Sequence, residues 1–444
     1  MKQLFHYHSL DDVRNELKEL GKSLPLSEDV EILKEPCEFG AVKLKNRLCI
    51  ASMEGVDSLP NGAPSELTIR RYHKLAEGGA ALIWFEAVSV VQEGRSSLKQ
   101  LYLNRETLPA FKKLVAEVKE IGLKKNGFAP YVVMQANHSG RYSRPNPEAS
   151  PEPIIAYHRP EHEALGRLDD SCIATDDYLK QMEETFGEAA FLCKEAGFDA
   201  MDVKSCHGYL FDEFASAFTR EGPYGGSFEN RFRLLINSVK NAKQAEDDSF
   251  TIICRLGIHD RFPYPHGFGM AKDGSLEPDY TEPIEIVRIL HKELGMPFIN
   301  LTMGDPHKNF HVTRPYDHDK LTEVPEHQLV SIARLYEGFG VIKKAFPSLG
   351  VAASAPTYLR QFSPNLVAGA IHEGICDAAC FGRLSFANPN FPNEIMTTGK
   401  LDKLHTCVTC GKCSELIRAG VPTGCVIRNT QIYLPYYQSI QSRA

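Results

Sequence analysis

The chain lacks several features that would assign it to a class at once. No stretch approaches the roughly 18 uninterrupted apolar residues of a membrane-spanning helix. The N-terminal residues show no basic region followed by an apolar one, as a secretion signal would. The formal net charge is -7, and lysine and arginine form no basic stripe along the chain. A nucleic-acid partner is therefore not expected. We therefore expect a cytoplasmic protein without membrane or nucleic-acid partners, and homo-oligomer formation stays open.

The cysteines do not form the framework of a secreted disulfide protein. Of the 12 cysteines, most are scattered singly in apolar contexts. The last four, by contrast, have the spacing C-x2-C-x2-C-x11-C. The C-x2-C-x2-C run is typical of ferredoxin-type iron-sulfur sites, whereas zinc ribbons usually pair two separated C-x2-C knuckles. The spacing favours a [4Fe-4S] cluster, with structural zinc or four unligated thiols as alternatives, on the following residues: Cys407, Cys410, Cys413 and Cys425.

Short apolar runs recur along the chain and alternate with helical patterns. One clear helix is predicted from 178 onwards, closed by Gly197. Apolar runs that alternate with helices indicate a parallel sheet, and eight of them favour a closed (β/α)8 TIM barrel over an open doubly wound sheet. The eight predicted strands are 47–52, 80–86, 130–135, 199–204, 250–256, 297–302, 349–354 and 377–382.

The same pattern predicts three parts of the chain. We expect an N-terminal helical extension over 1–34, a barrel over 35–398 and a C-terminal cysteine-bearing segment over 399–444. Two connections, 142–177 and 303–323, are long enough to be lids or binding loops. The histidines at 259, 307, 311 and 318 fit no metal-site spacing, and we interpret them as solvated loop residues.

Two motifs after the fourth predicted strand carry a family resemblance. HGYLFDEF at 207–214 and YGGSFENR at 224–231 resemble the fourth-strand signature of the old yellow enzyme family of flavoproteins. The resemblance continues with NRLCIASM, QANHSGR, CRLG and CDAACFGR, and it covers about 35–430. Within this family, a cysteine cluster directly after the barrel is typical of the branch that includes 2,4-dienoyl-CoA reductase, 2-enoate reductase and trimethylamine dehydrogenase. The chain resembles that branch because it has such a cluster.

The resemblance implies FMN at the barrel mouth. Arg255 would face the edge of the flavin where negative charge accumulates on reduction, and a guanidinium there is stabilising. The last two strands would hold the phosphate through Ser354, Gly382 and Arg383, although glycine is common in the family where this chain has Ser354. The full set of implied cofactor-binding residues is Ser52, Met53, Glu54, Ala87, Gln135, Arg255, Ser354, Gly382 and Arg383.

The resemblance also implies the reaction, which is reduction of a C=C bond conjugated to a carbonyl. Tyr209 matches the tyrosine that protonates the α-carbon, and His207 matches a carbonyl-binding position. The other carbonyl-binding position, often histidine, is Lys204 here; it either contacts substrate or pairs with Glu54 or Glu86. His138 and Arg141 match residues that lie over the flavin edge as substrate contacts.

The electron donor and the reaction class each have alternatives. No G-x-G-x-x-G follows a predicted strand, so we expect an external donor such as a ferredoxin, a flavodoxin or a flavoprotein subunit, with NAD(P)H as the competing donor. The leading function is an FMN- and [4Fe-4S]-dependent ene-reductase acting on an enone, steroid-like enone, enoate or enoyl thioester. An amine dehydrogenase resembling trimethylamine dehydrogenase and a zinc-stabilised barrel without flavin are the alternatives.

Overall fold

A computed structural model describes residues 4–163, 168–317 and 325–442. Eight of its strands form a closed parallel barrel in the order β10-β3-β4-β5-β6-β7-β8-β9. The last strand pairs with the first through Phe381 and Ile50, which closes the ring. The strands are β1 (Cys37–Phe39), β2 (Val42–Leu44), β3 (Leu48–Ile50), β4 (Leu82–Ser89), β5 (Tyr131–Asn137), β6 (Ala200–Val203), β7 (Thr251–Gly257), β8 (Phe298–Thr302), β9 (Gly350–Ala353) and β10 (Ala378–Phe381).

The closed barrel confirms the predicted fold class. Each of the eight predicted strands overlaps one barrel strand, because short runs buried on both faces are the pattern that a parallel sheet between helices imposes. One irregularity lies near the mouth: the pairing of β4 with β5 shifts register between Trp84 and Ala87. A bulge of this kind redirects the side chains that follow it.

Helices surround the barrel and connect its strands. The predicted helix from 178 begins two residues earlier, at Asp176, with Thr175 accepting from Tyr178 N as its cap, and the chain leaves it through Gly197 at φ +88°. The helices are α1 (Leu10–Glu19), α2 (Glu66–Glu77), α3 (Leu108–Asn126), α4 (Pro160–Glu163), α5 (Asp176–Glu195), α6 (Leu210–Ala215), α7 (Phe228–Arg231), α8 (Arg233–Ala242), α9 (Thr281–Arg288), α10 (Phe310–Thr313), α11 (Gln328–Ala345), α12 (Ser363–His372), α13 (Arg383–Ala387), α14 (Phe391–Thr398), α15 (Lys412–Arg418) and α16 (Thr430–Gln441).

The two ends of the barrel differ in character. At the N-terminal end the hairpin of β1 and β2 closes the interior, since Val42 and Leu44 are buried in one apolar cluster with Leu82, Trp84 and Phe298. The C-terminal ends of the strands carry the polar residues. The hairpin thus leaves the C-terminal end of the barrel for a ligand, and TIM barrels bind their ligands at that end. Among the described helices, none is long and apolar enough to cross a membrane.

The cysteine-bearing segment after α14 is attached to the mouth of the barrel. Thr423 N donates to Gly55 O at 2.7 Å, directly beside the loop after β3. Arg360 donates to Val408 O at 2.8 Å and also pairs with Asp317, whose N–H donates to Thr409 O at 3.1 Å. Asp317 also accepts from Phe5 N at 3.0 Å. The segment therefore joins the barrel through its own loop and through the N-terminal residues.

Candidate active site at the mouth of the barrel

The predicted cofactor residues lie on neighbouring strands at one end of the barrel. Ser52, Met53 and Glu54 follow β3, Ala87 and Gln135 lie in the second halves of β4 and β5, and Arg255 lies in β7. Ser354 follows β9, and Gly382 and Arg383 follow β10. Because parallel strands end at the same face, all of these residues come together at the mouth.

Gln135 is fixed by a buried network that the sequence did not predict. Its Oε1 accepts from Ser52 Oγ at 2.9 Å, and its Nε2 donates to Asp202 Oδ2 at 2.7 Å. The same carboxylate accepts from Trp84 Nε1 at 2.9 Å and from Arg255 N at 2.6 Å. Burial raises the pKa of Asp202 to about 6. The network sets the orientation of the Gln135 amide before any ligand binds.

Arg255 brings a buried cation that has no acceptor of its own. Its side chain is 8% exposed, and Nε is buried without a hydrogen-bond partner. Within the described residues, its guanidinium has neither a hydrogen bond nor an ion pair. A buried guanidinium left in this condition is costly unless a ligand satisfies it. The negatively charged edge of a reduced flavin would fit it.

Lys204 and Glu54 influence each other without forming an ion pair. Ser96 Oγ donates to Glu54 Oε1 at 2.7 Å, and no carboxylate of the described residues lies within ion-pair distance of Lys204 Nζ. Burial lowers the pKa of Lys204 to about 8, opposed by Cys206 and Glu54. Burial raises the pKa of Glu54.

Glu86, the other expected partner of Lys204, is held elsewhere. It forms an ion pair with Arg71 and accepts from Gly55 N at 2.7 Å. The alternative of a Lys204–Glu86 pair is therefore wrong.

A tight turn after β6 brings the predicted catalytic side chains together. His207 and Gly208 both have left-handed backbones, at φ +71° and +72°, which is a costly conformation for a histidine. The turn folds Tyr209 back so that Lys204 Nζ lies 3.7 Å from its ring centroid. His207 Nε2 lies 3.3 Å from Thr302 Oγ1, and burial lowers the pKa of His207 well below its usual range. The imidazole is thus neutral near pH 7 and can donate one N–H to a carbonyl.

A second set of side chains approaches Tyr209 from the connection after β8. His307 Nε2 lies 3.3 Å from Tyr209 Oη, and the His307 ring stacks on Tyr142 with centroids 3.8 Å apart. Burial raises the pKa of Tyr209 well above its usual range, so the phenol keeps its proton. His307 is therefore held between the ring of Tyr142 and Tyr209, the candidate proton donor.

Asp305 holds this arrangement in place. Its carboxylate accepts from Tyr142 Oη at 2.8 Å and from His307 N at 2.7 Å, and it pairs with His162 Nε2 at 3.0 Å. It also occupies the space beside Gly208, where a Cβ would lie 2.4 Å from Asp305 Oδ2. The sequence signalled only that 303–323 is a long connection rich in histidine.

The interpretation of the loop histidines needs correction. His307 is exposed toward the mouth, yet its ring contacts Tyr142 and Tyr209 instead of standing free in solvent. His259 is fully buried, with Nδ1 bonded to Gly269 O at 3.0 Å. His311 is half-buried, and His318 lies outside the described residues.

His138 and Arg141 are engaged by the protein itself. His138 Nε2 is bonded to Tyr178 Oη at 2.7 Å, and its Nδ1 accepts from Gly140 N at 3.0 Å, so no nitrogen is left for a substrate. Arg141 pairs with Glu213, and only Nη1 is buried without a partner. Both residues therefore stabilise the loop after β5. For His138, the geometry does not agree with the predicted substrate contact.

The ends of β9 and β10 form the proposed phosphate end of the site. Ser354 Oγ is bonded to the side chain of Asn300. A Cβ at Gly382 would lie 2.9 Å from Met53 Sδ, so glycine keeps this cradle open. Arg383 donates to Pro315 O at 2.6 Å and leaves Nη1 buried without a partner. Its side chain lines the cysteine pocket as well, which the sequence did not predict.

The four terminal cysteines line one small pocket. Burial raises the pKa of the Cys407 and Cys425 thiols, and the backbone N–H groups of Thr409 and Arg428, which donate to their sulfurs at 3.4 and 3.3 Å, oppose this rise. Across the described residues, no three His, Cys, Asp or Glu side chains converge closely enough for a single metal ion. In a [4Fe-4S] cluster each iron takes one cysteine, so the four sulfurs surround a cube and need not meet at one point. Four cysteine sulfurs on one pocket are the donor set of a [4Fe-4S] cluster, and they are also a donor set of structural zinc.

Comparison with known proteins assigns the chain to a family. The model of the NADH:flavin oxidoreductase / NADH oxidase family matches residues 33–270. The chain belongs to this family. Membership confirms the resemblance found in the sequence and places the chain among the flavin oxidoreductases.

Relatives within and around the family differ in the share of their length that the chain matches. An NADPH dehydrogenase of Listeria monocytogenes is 34% identical over 51% of the chain and 62% of that protein. A cinnamate reductase of Clostridium sporogenes is 26% identical over 87% of the chain and 55% of that protein. The match to a solved structure of 2-naphthoyl-CoA reductase has a TM-score of 0.73 at 21% identity. It covers 90% of this chain and 57% of the reductase chain. The chain thus spans between about half and two thirds of these relatives.

Proposed function

We propose that the chain is an FMN- and [4Fe-4S]-dependent reductase of a C=C bond conjugated to a carbonyl group. The observation that carries the proposal is the position of Tyr209, a buried phenol hydrogen-bonded to His307 and flanked by the unpaired cation of Lys204. The family to which the chain belongs supports a flavin as the redox partner. We further infer three parts, namely an N-terminal extension over 1–34, the FMN barrel over 35–398 and the cluster segment over 399–444.

The residues present fit FMN at the mouth. Gln135 would meet the pyrimidine edge, Arg255 the side that becomes negative on reduction, and Ser354, Gly382 and Arg383 the phosphate. Ser52, Met53, Glu54 and Ala87 would line the ring. FMN, when bound, supplies the hydride that adds to the β-carbon of the substrate.

The chain's own side chains would provide the rest of the reaction. His207, neutral and aimed from the strained turn, donates a hydrogen bond to the substrate carbonyl, and Lys204 stabilises the negative charge that develops on its oxygen. Tyr209 gives its proton to the α-carbon, and a proton from solvent restores the phenol, relayed by the neutral, exposed His307 through the Oη–Nε2 contact. Hydride and proton together convert the C=C bond into a C–C single bond.

The cysteine pocket would serve electron supply. Cys407, Cys410, Cys413 and Cys425 would hold the cluster, which supplies one-electron exchange with a donor when bound. Arg383, shared between the phosphate end and this pocket, supports a close approach of the two cofactors. The donor is either NAD(P)H at the flavin or a separate protein acting through the cluster, and the two routes differ in whether Cys425 is required.

Amine oxidation is disfavoured by the charges at the mouth. An amine dehydrogenase needs an acidic or aromatic site for a cationic substrate. Here Lys204 and Arg255 are both cationic, and the aromatic ring of Tyr209 is already occupied by Lys204 Nζ. A cationic amine would therefore meet repulsion at the same position.

Anaerobic purification followed by spectroscopy and turnover would test the proposal. We expect the bands of oxidised flavin together with a broad iron-sulfur absorption, and reduction of an α,β-unsaturated carbonyl compound by dithionite-reduced viologen. The reaction product would be the saturated carbonyl compound, identified by mass. Absence of flavin, or oxidation of amines without reduction of any activated alkene, would overturn the proposal.

A further inference from the structure

The mouth of the barrel contains a buried ammonium group that the protein leaves unsatisfied. Lys204 is 5% exposed and lies at the end of β6, with its backbone N–H still bonded to Ala136 O at 3.3 Å. Within the described residues, Nζ makes no hydrogen bond and no ion pair. It lies 3.7 Å from the centroid of the Tyr209 ring. An ammonium buried in this way needs an anion to offset the loss of water.

The protein's own carboxylates do not provide that anion. Glu86 is committed to Arg71, and Asp202 is committed to Gln135, Trp84 and the N–H of Arg255. Glu54 is the remaining carboxylate that acts on Lys204, but it is bonded to Ser96 and stands beyond ion-pair distance. The charge of Lys204 is therefore directed at whatever binds beside Tyr209.

A neutral carbonyl and a carboxylate would meet this charge differently. A ketone or ester oxygen can accept one hydrogen bond but leaves the positive charge in place. A carboxylate both accepts the bond and cancels the charge, and such charge-assisted hydrogen bonds are about twice as strong as neutral ones. We infer that Lys204 selects α,β-unsaturated carboxylates over neutral enones and esters by binding the carboxylate of the substrate. This inference rests on the proposed function and specifies its substrate class.

The position of Lys204 also gives it a part in the reaction. When hydride adds to the β-carbon of an enoate, the carboxylate gains a second negative charge until Tyr209 protonates the α-carbon. Lys204, beside that same tyrosine, stabilises the added charge. The similarity to a cinnamate reductase, a protein named for a carboxylate substrate, agrees with this assignment.

Matched acid and ester substrates would test the inference. The holoenzyme is assayed with cinnamate and methyl cinnamate and with crotonate and methyl crotonate, using reduced viologen as donor. We expect the acids to be preferred, and Lys204→Met to lower kcat/KM for the acids by about 10- to 100-fold more than for the esters, because the esters lose only the stabilisation of the charge that develops on the carbonyl oxygen. Lys113→Met, at an exposed position of α3, is the matched control.

Binding of a carboxylate that cannot react separates the two hypotheses. The dissociation constant of 3-phenylpropanoate is measured by calorimetry on wild type and Lys204→Met, with FMN content determined for both. A weaker Kd in the variant supports the role of Lys204 even without turnover, whereas an unchanged Kd overturns it. Equal losses on acids and esters overturn it as well. Failure of the wild type to reduce any of the four alkenes would instead overturn the proposed function.

Discussion

Tyr209 is surrounded by groups that act on its hydroxyl in different ways. Burial and the nearby carboxylates Glu54 and Asp305 raise its pKa, so it is present as the phenol at neutral pH. His307 offers a nitrogen to its hydroxyl, and Lys204 covers its ring. A phenol held this way is a weak acid in general, but it is sufficient toward an enolate that forms within reach.

Tyr209→Phe removes this hydroxyl and keeps the ring that Lys204 covers. We expect unchanged FMN content and unchanged reduction of the flavin, but reoxidation by the alkene slower by roughly 10²- to 10⁴-fold, as for loss of a general acid. Stopped-flow absorbance measures the two half-reactions separately, with Tyr264→Phe at an exposed position as control. Reoxidation at the wild-type rate would exclude Tyr209 as the proton donor.

The pH dependence of carboxylate reduction follows from Lys204. Its pKa is lowered to about 8, chiefly by burial, with Arg255 lowering it further and Cys206, Glu54 and Asp202 raising it. The ammonium is therefore present below about pH 8 and lost above it. We expect kcat/KM for an enoate to fall as the pH rises through this value, because the neutral amine no longer attracts the carboxylate.

The profile for Lys204→Met distinguishes this origin from others. The variant should lack the fall above pH 8 for the acid, and in wild type the fall should be smaller for the ester than for the acid. A fall of equal size for acid and ester would assign the titration to another group.

At the scale of elements, the connection after β8 and the turn after β6 form one unit. Asp305 joins them by accepting from Tyr142 and His307 and by filling the space beside Gly208. Its pKa is lowered: burial acts to raise it, but the contacts from His162 and His307 outweigh burial, so it is a carboxylate throughout the working range.

Asp305→Asn should loosen this unit. One acceptor oxygen becomes an N–H donor that faces other donors, and a buried mismatch of this kind costs about 1 to 3 kcal/mol of unfolding free energy. Denaturant unfolding measures the loss, and kcat should fall with it because His307 is no longer held against Tyr209. Asp248→Asn, exposed and outside any described contact, is the control. Wild-type kcat in Asp305→Asn would show that the unit does not position the proton donor.

The elements themselves were predictable, whereas their side-chain partners were not. Runs such as FTIICRL predict β7 because apolar residues on both faces are required of a strand between helices. The positions of Gln135 and Arg255 at the mouth follow from the same pattern. The roles of Asp305 and Tyr142 do not, because they depend on how two loops distant in sequence pack on each other. Arg383 likewise lines the cysteine pocket only because the segment after α14 folds back onto the mouth.

At the scale of the whole molecule, the cysteine segment and the barrel depend on each other. Thr423 is bonded to Gly55, the residue after Glu54, and Lys99 donates to Gly420 O at 3.0 Å. The cysteine segment is therefore in direct contact with the loop proposed to line the flavin.

Cys425→Ser should separate the two cofactors. We expect loss of iron and sulfide, from about four of each in wild type, with FMN retained and viologen-driven reduction through the flavin still detectable. Colorimetric iron analysis and the visible spectrum provide the measurement. Cys172→Ser, on the connection before α5, is the control. Full iron content in Cys425→Ser would exclude this cysteine as a ligand.

The contacts of Phe5 have a consequence for how the protein is produced. Its N–H is bonded to Asp317, its ring lies under Arg360 at 4.5 Å, and these same two residues hold the backbone at Val408 and Thr409 between the first cysteines. An affinity tag fused directly before Phe5 would disturb its contacts with Asp317 and Arg360. We expect such a tag to lower the iron content of the preparation, and a flexible spacer, or a tag at the other end of the chain, to restore it.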